Sequence, residues 1–280
     1  MDFTDITYKN ADTTLLDVHN FNLDVTLDCG QCFRWKKLAS GEWEGIAHAR
    51  KLRVFMHDGN LILRDTTPED FERFWKDYFD LGRDYGELFA RFSRNPPLRR
   101  AVQFAPGIRV LRQEPFEALC SFILSQNNNI ARIKGLVERL CLHFGEDCGG
   151  FYAFPAPGVL AGLSPDDLAP VRSGFRAKYI IDAAKKVHSA EIDLLSLYAM
   201  PIDEAREVLM QIYGVGRKVA DCVLLYGFGR VQCIPEDVWM KRALTQLYPK
   251  GMPNYLKPWG GIAQQTLFHY ARNCPGAVER

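Results

Sequence analysis

A chain of 280 residues, 47% hydrophobic and 25% charged, has enough apolar mass for folded cores and excludes a disordered polymer. No run approaches the ~18–20 apolar residues of a membrane-spanning helix, and MDFTDITYKN at the start lacks the basic and apolar regions of a secretory signal. With 35 basic against 34 acidic side chains the formal charge is +1, which excludes a globally basic polyanion binder.

Any basic surface must be local, and RFSRNPPLRR (91–100) and the stretch 172–186 are the candidates. The eight cysteines lie mostly in apolar runs such as ALCSFIL, RLCLHF and ADCVLL, where a thiol packs as a small hydrophobe, and they are read as reduced. Cys29 and Cys32 form a lone CxxC without the second pair or paired histidines of a zinc site. Cys222, Cys233 and Cys274 do not cluster as iron–sulfur ligands do, so no metal site is expected.

Residues 21–28 alternate, with Phe21, Leu23, Val25 and Leu27 against polar neighbours, and predict a half-buried strand. Val54 to Met56, then Asp58-Gly59, then Leu61 to Leu63 predict a β-hairpin, because Asp-Gly tolerates the positive φ of a tight turn. Thr67 and Pro68 open a helix as N-cap and first helical residue, with Phe71, Phe74, Trp75, Tyr78 and Phe79 on its apolar face. Residues 1–97 thus read as an antiparallel sheet with a packed helix. Asn95-Pro96-Pro97 breaks the chain, and helices dominate 98–280.

Ile130, Ile133, Val137, Leu140, Cys141 and Phe144 form one helical stripe ending at Gly145. The segment 148–158 is a connector. Further helices are expected near 177–188, 201–211, 217–226, 237–247 and 261–271. The fold class is α+β: an N-terminal antiparallel sheet domain, then a mostly helical region of one or two subdomains.

The segment 202–229 carries most of the functional signal. A helix runs into Gly214-Val215-Gly216 and another begins at Arg217, so the backbone N–H groups of a tight hairpin sit beside a helix N-terminus, where they suit a phosphate. Lys218 lies in the first turn of that second helix, where the macrodipole disfavours a cation and favours the free amine. A free amine can attack a sugar C1′ and form a Schiff base. Asp237, after Pro235, starts the next helix and suits an N-cap. Beside Lys218 its carboxylate is also placed to stabilise the positive charge that builds on a sugar during glycosidic cleavage. The run Asn127-Asn128-Asn129 disfavours helix and reads either as a capped turn, with Asn127 or Asn128 as N-cap, or as amides that fill the gap left by a flipped base.

GVGRKVADCVLL followed by IPEDV resembles the helix–hairpin–helix DNA glycosylases, in which members with both lysine and aspartate are bifunctional glycosylase/lyases. FEALCSFILSQNNNIARIKGLVERLCLHFG is strongly similar to the 8-oxoguanine DNA glycosylases of that superfamily. The resemblance implies that Asn127 enters the helix gap and that Arg132 touches the orphaned cytosine. Gly174 to Tyr179, similar to the family's G-Y-R-A-R-Y, implies an aromatic wedge at Phe175 and a second cytosine-reading arginine at Arg176. Cys29 to Trp35 resembles the family's G-Q-S/C-F-R-W, whose glycine carbonyl reads the damaged base. That role falls on Gly30: the oxidised base carries a proton on N7 where guanine has a lone pair, so a carbonyl acceptor rewards the lesion. Gly261 to Phe268 implies that Gln264 bonds the Watson–Crick edge while Phe268 and Cys222 cover the two ring faces.

Trp239 stands where the family often has a phosphate-contacting histidine, Glu236 where an apolar residue is usual, and Phe175 where it has tyrosine. The expected protein excises 8-oxoguanine, preferably opposite cytosine, as a monomer on double-stranded DNA and without an organic cofactor. The resemblance also implies the hairpin carbonyls as the place where a structural cation could bind, which the sequence alone does not establish. The expected place is the nucleoid or cytoplasm of a bacterium, or a eukaryotic nucleus. The rivals are an alkylated-base glycosylase of the same superfamily and a DNA-binding hairpin without catalysis. Lys218 speaks against the first, and Lys218 with Asp237 against the second.

Overall fold

The computed structural model describes residues 2–274 and 276–278. Strands β1 (Asp5–Lys9), β2 (Asp12–Leu16), β3 (Trp35–Lys37), β4 (Trp43–Ala47), β5 (Arg50–His57) and β6 (Asn60–Leu63) form one antiparallel sheet in the order β1-β2-β6-β5-β4-β3. The hairpin at Asp58-Gly59 is as the sequence requires: both residues have positive φ, 48° and 78°, and His57 pairs with Asn60. Alternation puts Leu52, Val54, Leu61 and Leu63 inward.

The expected strand over 21–28 is instead a helix, α1 (Leu23–Asp28). Asn22 caps it by accepting a hydrogen bond from the Val25 N–H at 3.2 Å. Burial follows Leu23, Thr26 and Leu27 rather than alternate residues. Thr26, which a strand would have turned outward, is buried: its hydroxyl donates to the Gly107 carbonyl and accepts from the Arg109 N–H.

Thr67 caps the next helix as expected, accepting from the Asp70 N–H, with Pro68 in its first turn. This helix runs through α2 (Pro68–Asp70), a π-helical stretch (Phe71–Trp75) and α3 (Lys76–Tyr78). It sets Phe71, Trp75, Tyr78 and Phe79 against the sheet. Trp35 lies in that layer and donates to the Tyr78 hydroxyl. Gly45 is required behind it, since a Cβ there would stand 2.1 Å from the indole.

The remaining helices are α4 (Tyr85–Phe92), α5 (Pro96–Phe104), α6 (Pro115–Ser125), α7 (Ile130–Phe144), α8 (Pro157–Ala161), α9 (Ala177–His188), α10 (Ile202–Met210), α11 (Arg217–Phe228), α12 (Val238–Leu247) and α13 (Gly260–Asn273). They share a second core, to which α4 also contributes Tyr85, Leu88, Phe89 and Phe92. At its centre α6 packs along α11, and both are apolar nearly all round, as central helices must be.

The segment 105–113 threads between the two cores, with Val110 in the helical one and Leu111 under the sheet. Arg109 is wholly buried there. Its guanidinium is sandwiched by Phe21 and Tyr85 and donates to the Asp2 carboxylate and to the Asn20 and Asp80 carbonyls. Gln31 completes the seam by donating to the Thr26 and Arg109 carbonyls and accepting from the Leu111 N–H. The loop that carries Gly30 is thereby fixed against the helical core.

Candidate active site

The glycines of the hairpin do different work. Gly214 has φ +80°, and a Cβ on it would lie 2.4 Å from the Tyr179 ring, so only glycine fits. Gly216 is in extended conformation with open space beside it. Val215 is buried between them and anchors the turn, its N–H donating to the Ile212 carbonyl. No acceptor among the described residues takes the N–H groups of Gly216, Arg217 or Lys218, which leaves them for an anion.

Lys218 is half-buried in the first turn of α11, with Nζ 5.5 Å from the centroid of the Phe122 ring. It forms no ion pair among the described residues. Cys222 follows one turn later and is buried. Burial pushes its thiol up to about 11 against the downward pull of Lys218, while Asp237 adds to the rise. The sulfur therefore stays protonated at neutral pH. Asp237 is the N-cap of α12: Oδ1 accepts from the Met240 N–H at 2.8 Å. The cap fixes the carboxylate and leaves Oδ2 without a protein donor among the described residues.

Gln264 lies on α13 with its side chain buried and Oε1 lacking any hydrogen-bond partner. A buried amide oxygen without a donor is costly unless a ligand supplies one. Phe268 follows on the same face and is half-buried. Gly30 has φ +88°, and its carbonyl accepts no hydrogen bond among the described residues. Sequence reasoning did not identify the residues beneath this pocket. Phe122 stacks on Tyr226 at 5.2 Å, and the Tyr226 hydroxyl donates to Gln265 Oε1. In the sequence they read only as apolar or amide positions of packed helices.

The asparagine run divides its labour. Neither Asn127 nor Asn128 caps α7. The cap is Asn129, which accepts from the Arg132 N–H at 2.9 Å. Asn128 donates to the Leu124 carbonyl, and Asn127 is exposed in a left-handed conformation with φ +50°. Asparagine tolerates that region better than most residues. Phe175 is half-exposed and packs edge-on to Tyr179. Arg132 is exposed, with its guanidinium uncommitted among the described residues. The Arg176 fork is engaged: Nε and Nη2 donate to the Gln126 carbonyl, Nη1 to the Ser173 carbonyl, and Nη2 also to that of Asn127. Burial lowers its pKa, and the positive charge of Arg132 lowers it further. Gln126 was not singled out by sequence, yet its amide joins this loop to the hairpin by donating to the Gly214 carbonyl.

Trp239 is half-buried beside Asp237 with Arg242 over its ring, and Glu236 is exposed. The Ile212 and Gly214 carbonyls of the hairpin each accept one protein hydrogen bond, from the Val215 N–H and from the Gln126 amide. No helix among the described residues is long and apolar enough to cross a membrane.

A glycine hairpin with free N–H groups, followed by a lysine and a capped aspartate, is the arrangement of a helix–hairpin–helix base-excision protein. The family models agree: residues 14–119 match the N-terminal domain of 8-oxoguanine DNA glycosylase, and residues 120–254 match the HhH-GPD superfamily of base excision DNA repair proteins. The chain belongs to the 8-oxoguanine DNA glycosylase family. It is 43% identical to MBOgg1, solved with a low-affinity DNA ligand, with a TM-score of 0.90 over 97% of this chain and 99% of that one. It is 37% identical to the Clostridium acetobutylicum 8-oxoguanine glycosylase/lyase, solved with double-stranded DNA containing cytosine opposite 8-oxoguanine, with the same TM-score and coverages. The Arabidopsis thaliana N-glycosylase/DNA lyase is 31% identical over 250 residues, 84% of this chain and 66% of that protein.

Proposed function

We propose that this protein is a bifunctional glycosylase and abasic-site lyase that excises 8-oxoguanine from double-stranded DNA, preferably opposite cytosine. The observation that carries the reading is a half-buried Lys218, free of ion pairs among the described residues and one helical turn before the buried Cys222, directly after the hairpin, with Asp237 held in place as the N-cap of α12.

A backbone phosphate docks at the hairpin Gly214-Val215-Gly216, on the free N–H groups of Gly216, Arg217 and Lys218. The lesion nucleotide leaves the stack, and Asn127 and Phe175 hold the gap. The Gly30 carbonyl accepts from N7–H of the base, Gln264 bonds its Watson–Crick edge, and Cys222 and Phe268 cover its faces. The Lys218 amine bonds to C1′ as the C1′–N9 bond breaks. The bonding pair leaves with the base, which takes up a proton. Asp237 stabilises the positive charge on the sugar through this step. Ring opening yields the Schiff base, and loss of a C2′ proton then expels the 3′-phosphate.

Opposite the lesion, the uncommitted Arg132 fork reads the orphaned cytosine. Arg176 has one of its five N–H donors left for that task, so it serves the gap mainly by holding the Asn127 loop. The place of action is the genome, in a nucleoid or a nucleus.

The test is borohydride trapping on a duplex with 8-oxoguanine opposite cytosine. A covalent adduct that vanishes in Lys218→Gln is the expected result. Absence of both base release and adduct in the unmodified protein would overturn the reading. Repeating the assay with each opposing base examines Arg132, and indifference to that base would remove its role.

A further inference from the structure

Gln264, Phe268 and Arg272 recur at four-residue spacing on α13 and so share one face of the helix. Along that line burial falls from the enclosed Gln264, through the half-buried Phe268, to the exposed Arg272. The Arg272 guanidinium carbon is 6.0 Å from the Phe268 ring centroid. Its Nη1 lies 4.0 Å from the point a Cβ on Gly30 would occupy. One arginine fork therefore lies close to both Gly30 and Phe268, two residues assigned to the lesion pocket.

The surroundings leave that fork free. A cleft of about 530 Å³ opens here, lined in part by Asp28, Ile130, Lys134, His269 and Arg272. Lys134 is spent on Asp28 at 2.7 Å. Burial and the charge of Arg272 both lower the pKa of His269, which leaves its ring neutral near pH 7. Arg272 makes no hydrogen bond or ion pair among the described residues. It is the cleft's uncommitted cation.

8-Oxoguanine differs from guanine at two adjacent atoms: N7 carries a proton, and C8 carries a carbonyl oxygen. The Gly30 carbonyl answers the first. The second is an acceptor that loses water on entering the pocket and needs a donor in exchange. We infer that Arg272 donates a hydrogen bond to O8 of the extruded base and is a specificity-determining residue of this protein. Gly30 and Arg272 then present an acceptor and a donor to N7–H and O8. Guanine meets the same pair with a lone pair facing a carbonyl and a C8–H facing a guanidinium. This contact rests on the 8-oxoguanine reading above.

The experiment compares two substrates under single-turnover conditions. One duplex carries 8-oxoguanine opposite cytosine; the other carries a pre-formed abasic site opposite cytosine, where no base is present to be read. In Arg272→Met, base release is expected to fall at least about tenfold while strand cleavage at the abasic site falls less than about twofold. Arg272→Lys keeps a donor and is expected to recover base release to within about threefold of the unmodified protein. Equal losses on both substrates would make Arg272 a contact to the DNA backbone and overturn the proposal. Unchanged base release in Arg272→Met would also overturn it. Failure of the unmodified protein to release 8-oxoguanine would instead strike the parent reading, and this contact with it.

Discussion

The Gln126 side-chain amide donates to the Gly214 carbonyl at 3.1 Å, so the loop that presents Asn127 is tied to the hairpin that leads into Lys218. The Gln126 carbonyl is in turn gripped by Arg176, whose guanidinium lies 4.3 Å from the centroid of the neighbouring Phe175 ring. The proposed gap filler, wedge and phosphate site are thus joined through one residue, and the left-handed backbone of Asn127 is held before DNA arrives. Pre-organisation of this kind acts through binding, because the ordering cost is already met in the free protein. Gln126→Ala is expected to weaken binding to a duplex containing a non-cleavable abasic analogue by about fivefold, the worth of roughly one hydrogen bond. Binding to undamaged duplex should change by less than about twofold, since no gap is filled there. Titration of the two duplexes by fluorescence anisotropy reads both numbers, and equal weakening would show that Gln126 supports only the hairpin.

Asp237 caps α12 and, in the proposed mechanism, stabilises charge on the sugar, two jobs that substitution can separate. Asparagine keeps the N-cap but removes the charge, whereas alanine removes both. Asp237→Asn is therefore expected to leave the melting temperature nearly unchanged while base release slows by about 10²–10³, the loss typical of one fixed stabilising group. Asp237→Ala should show a similar rate loss and also cost about 1 kcal/mol of stability. Thermal melts alongside single-turnover assays distinguish the two. A fast Asp237→Asn protein would mean that the carboxylate serves only the helix.

Much of the fold was legible because local rules and tertiary packing agree. Asp58-Gly59 requires the turn it makes, Thr67-Pro68 caps the helix it precedes, and the stripe from Ile130 to Phe144 has helical period. Residues 21–28 misled because two local signals compete there, alternation and an Asn22 cap. The decision fell to Thr26, whose partners lie some eighty residues away at Gly107 and Arg109. The same limit hides Gln31, Arg109 and Gln126, polar residues whose meaning is a distant carbonyl. Within NNN, residue type alone leaves the cap open, because the loop conformation decides which side chain reaches the helix N–H. Lys218 and Asp237 were legible as chemical types. Phe122, Tyr226 and Gln265 beneath them were not, since pocket floor and core have the same composition.

Glu117 adds a pH dependence unrelated to catalysis. It is buried on α6, and desolvation, reinforced by Glu114, raises its pKa to about 7 even though Arg34 approaches to 3.5 Å and pulls it down. A carboxyl whose folded pKa lies above its unfolded one binds more protons folded than unfolded between those values. Its contribution to stability is thus greatest below the ordinary value of 4.5 and is lost as pH rises towards about 7. Glu117→Gln, which keeps the shape without the titration, should show a flatter profile of stability against pH between these limits. The difference across that window is at most about 3.5 kcal/mol at ~1.4 kcal/mol per unit. Urea melts of both proteins at several pH values measure it, and parallel profiles would mean that Arg34 keeps Glu117 ionised throughout.

The hairpin glycines provide a last contrast, because one is fixed by packing and the other by access. Gly214→Ala must place a methyl group 2.4 Å from the Tyr179 ring on a backbone with φ +80°. Left-handed backbone alone costs about 1–2 kcal/mol for a residue with a Cβ, and displacing the ring adds about 1–3 kcal/mol. Gly216→Ala meets nothing within 4 Å and sits at an ordinary φ of −102°, so its melting temperature should stay close to that of the unmodified protein. Its new methyl group stands instead beside the N–H groups that await a phosphate. The expected signature is a folded protein with weakened binding to both damaged and undamaged duplex, and weakening confined to damaged DNA would place Gly216 in lesion recognition rather than phosphate capture. Loss of stability in Gly216→Ala comparable to that in Gly214→Ala would contradict the division, since both glycines would then be packing requirements and neither reserved for the phosphate.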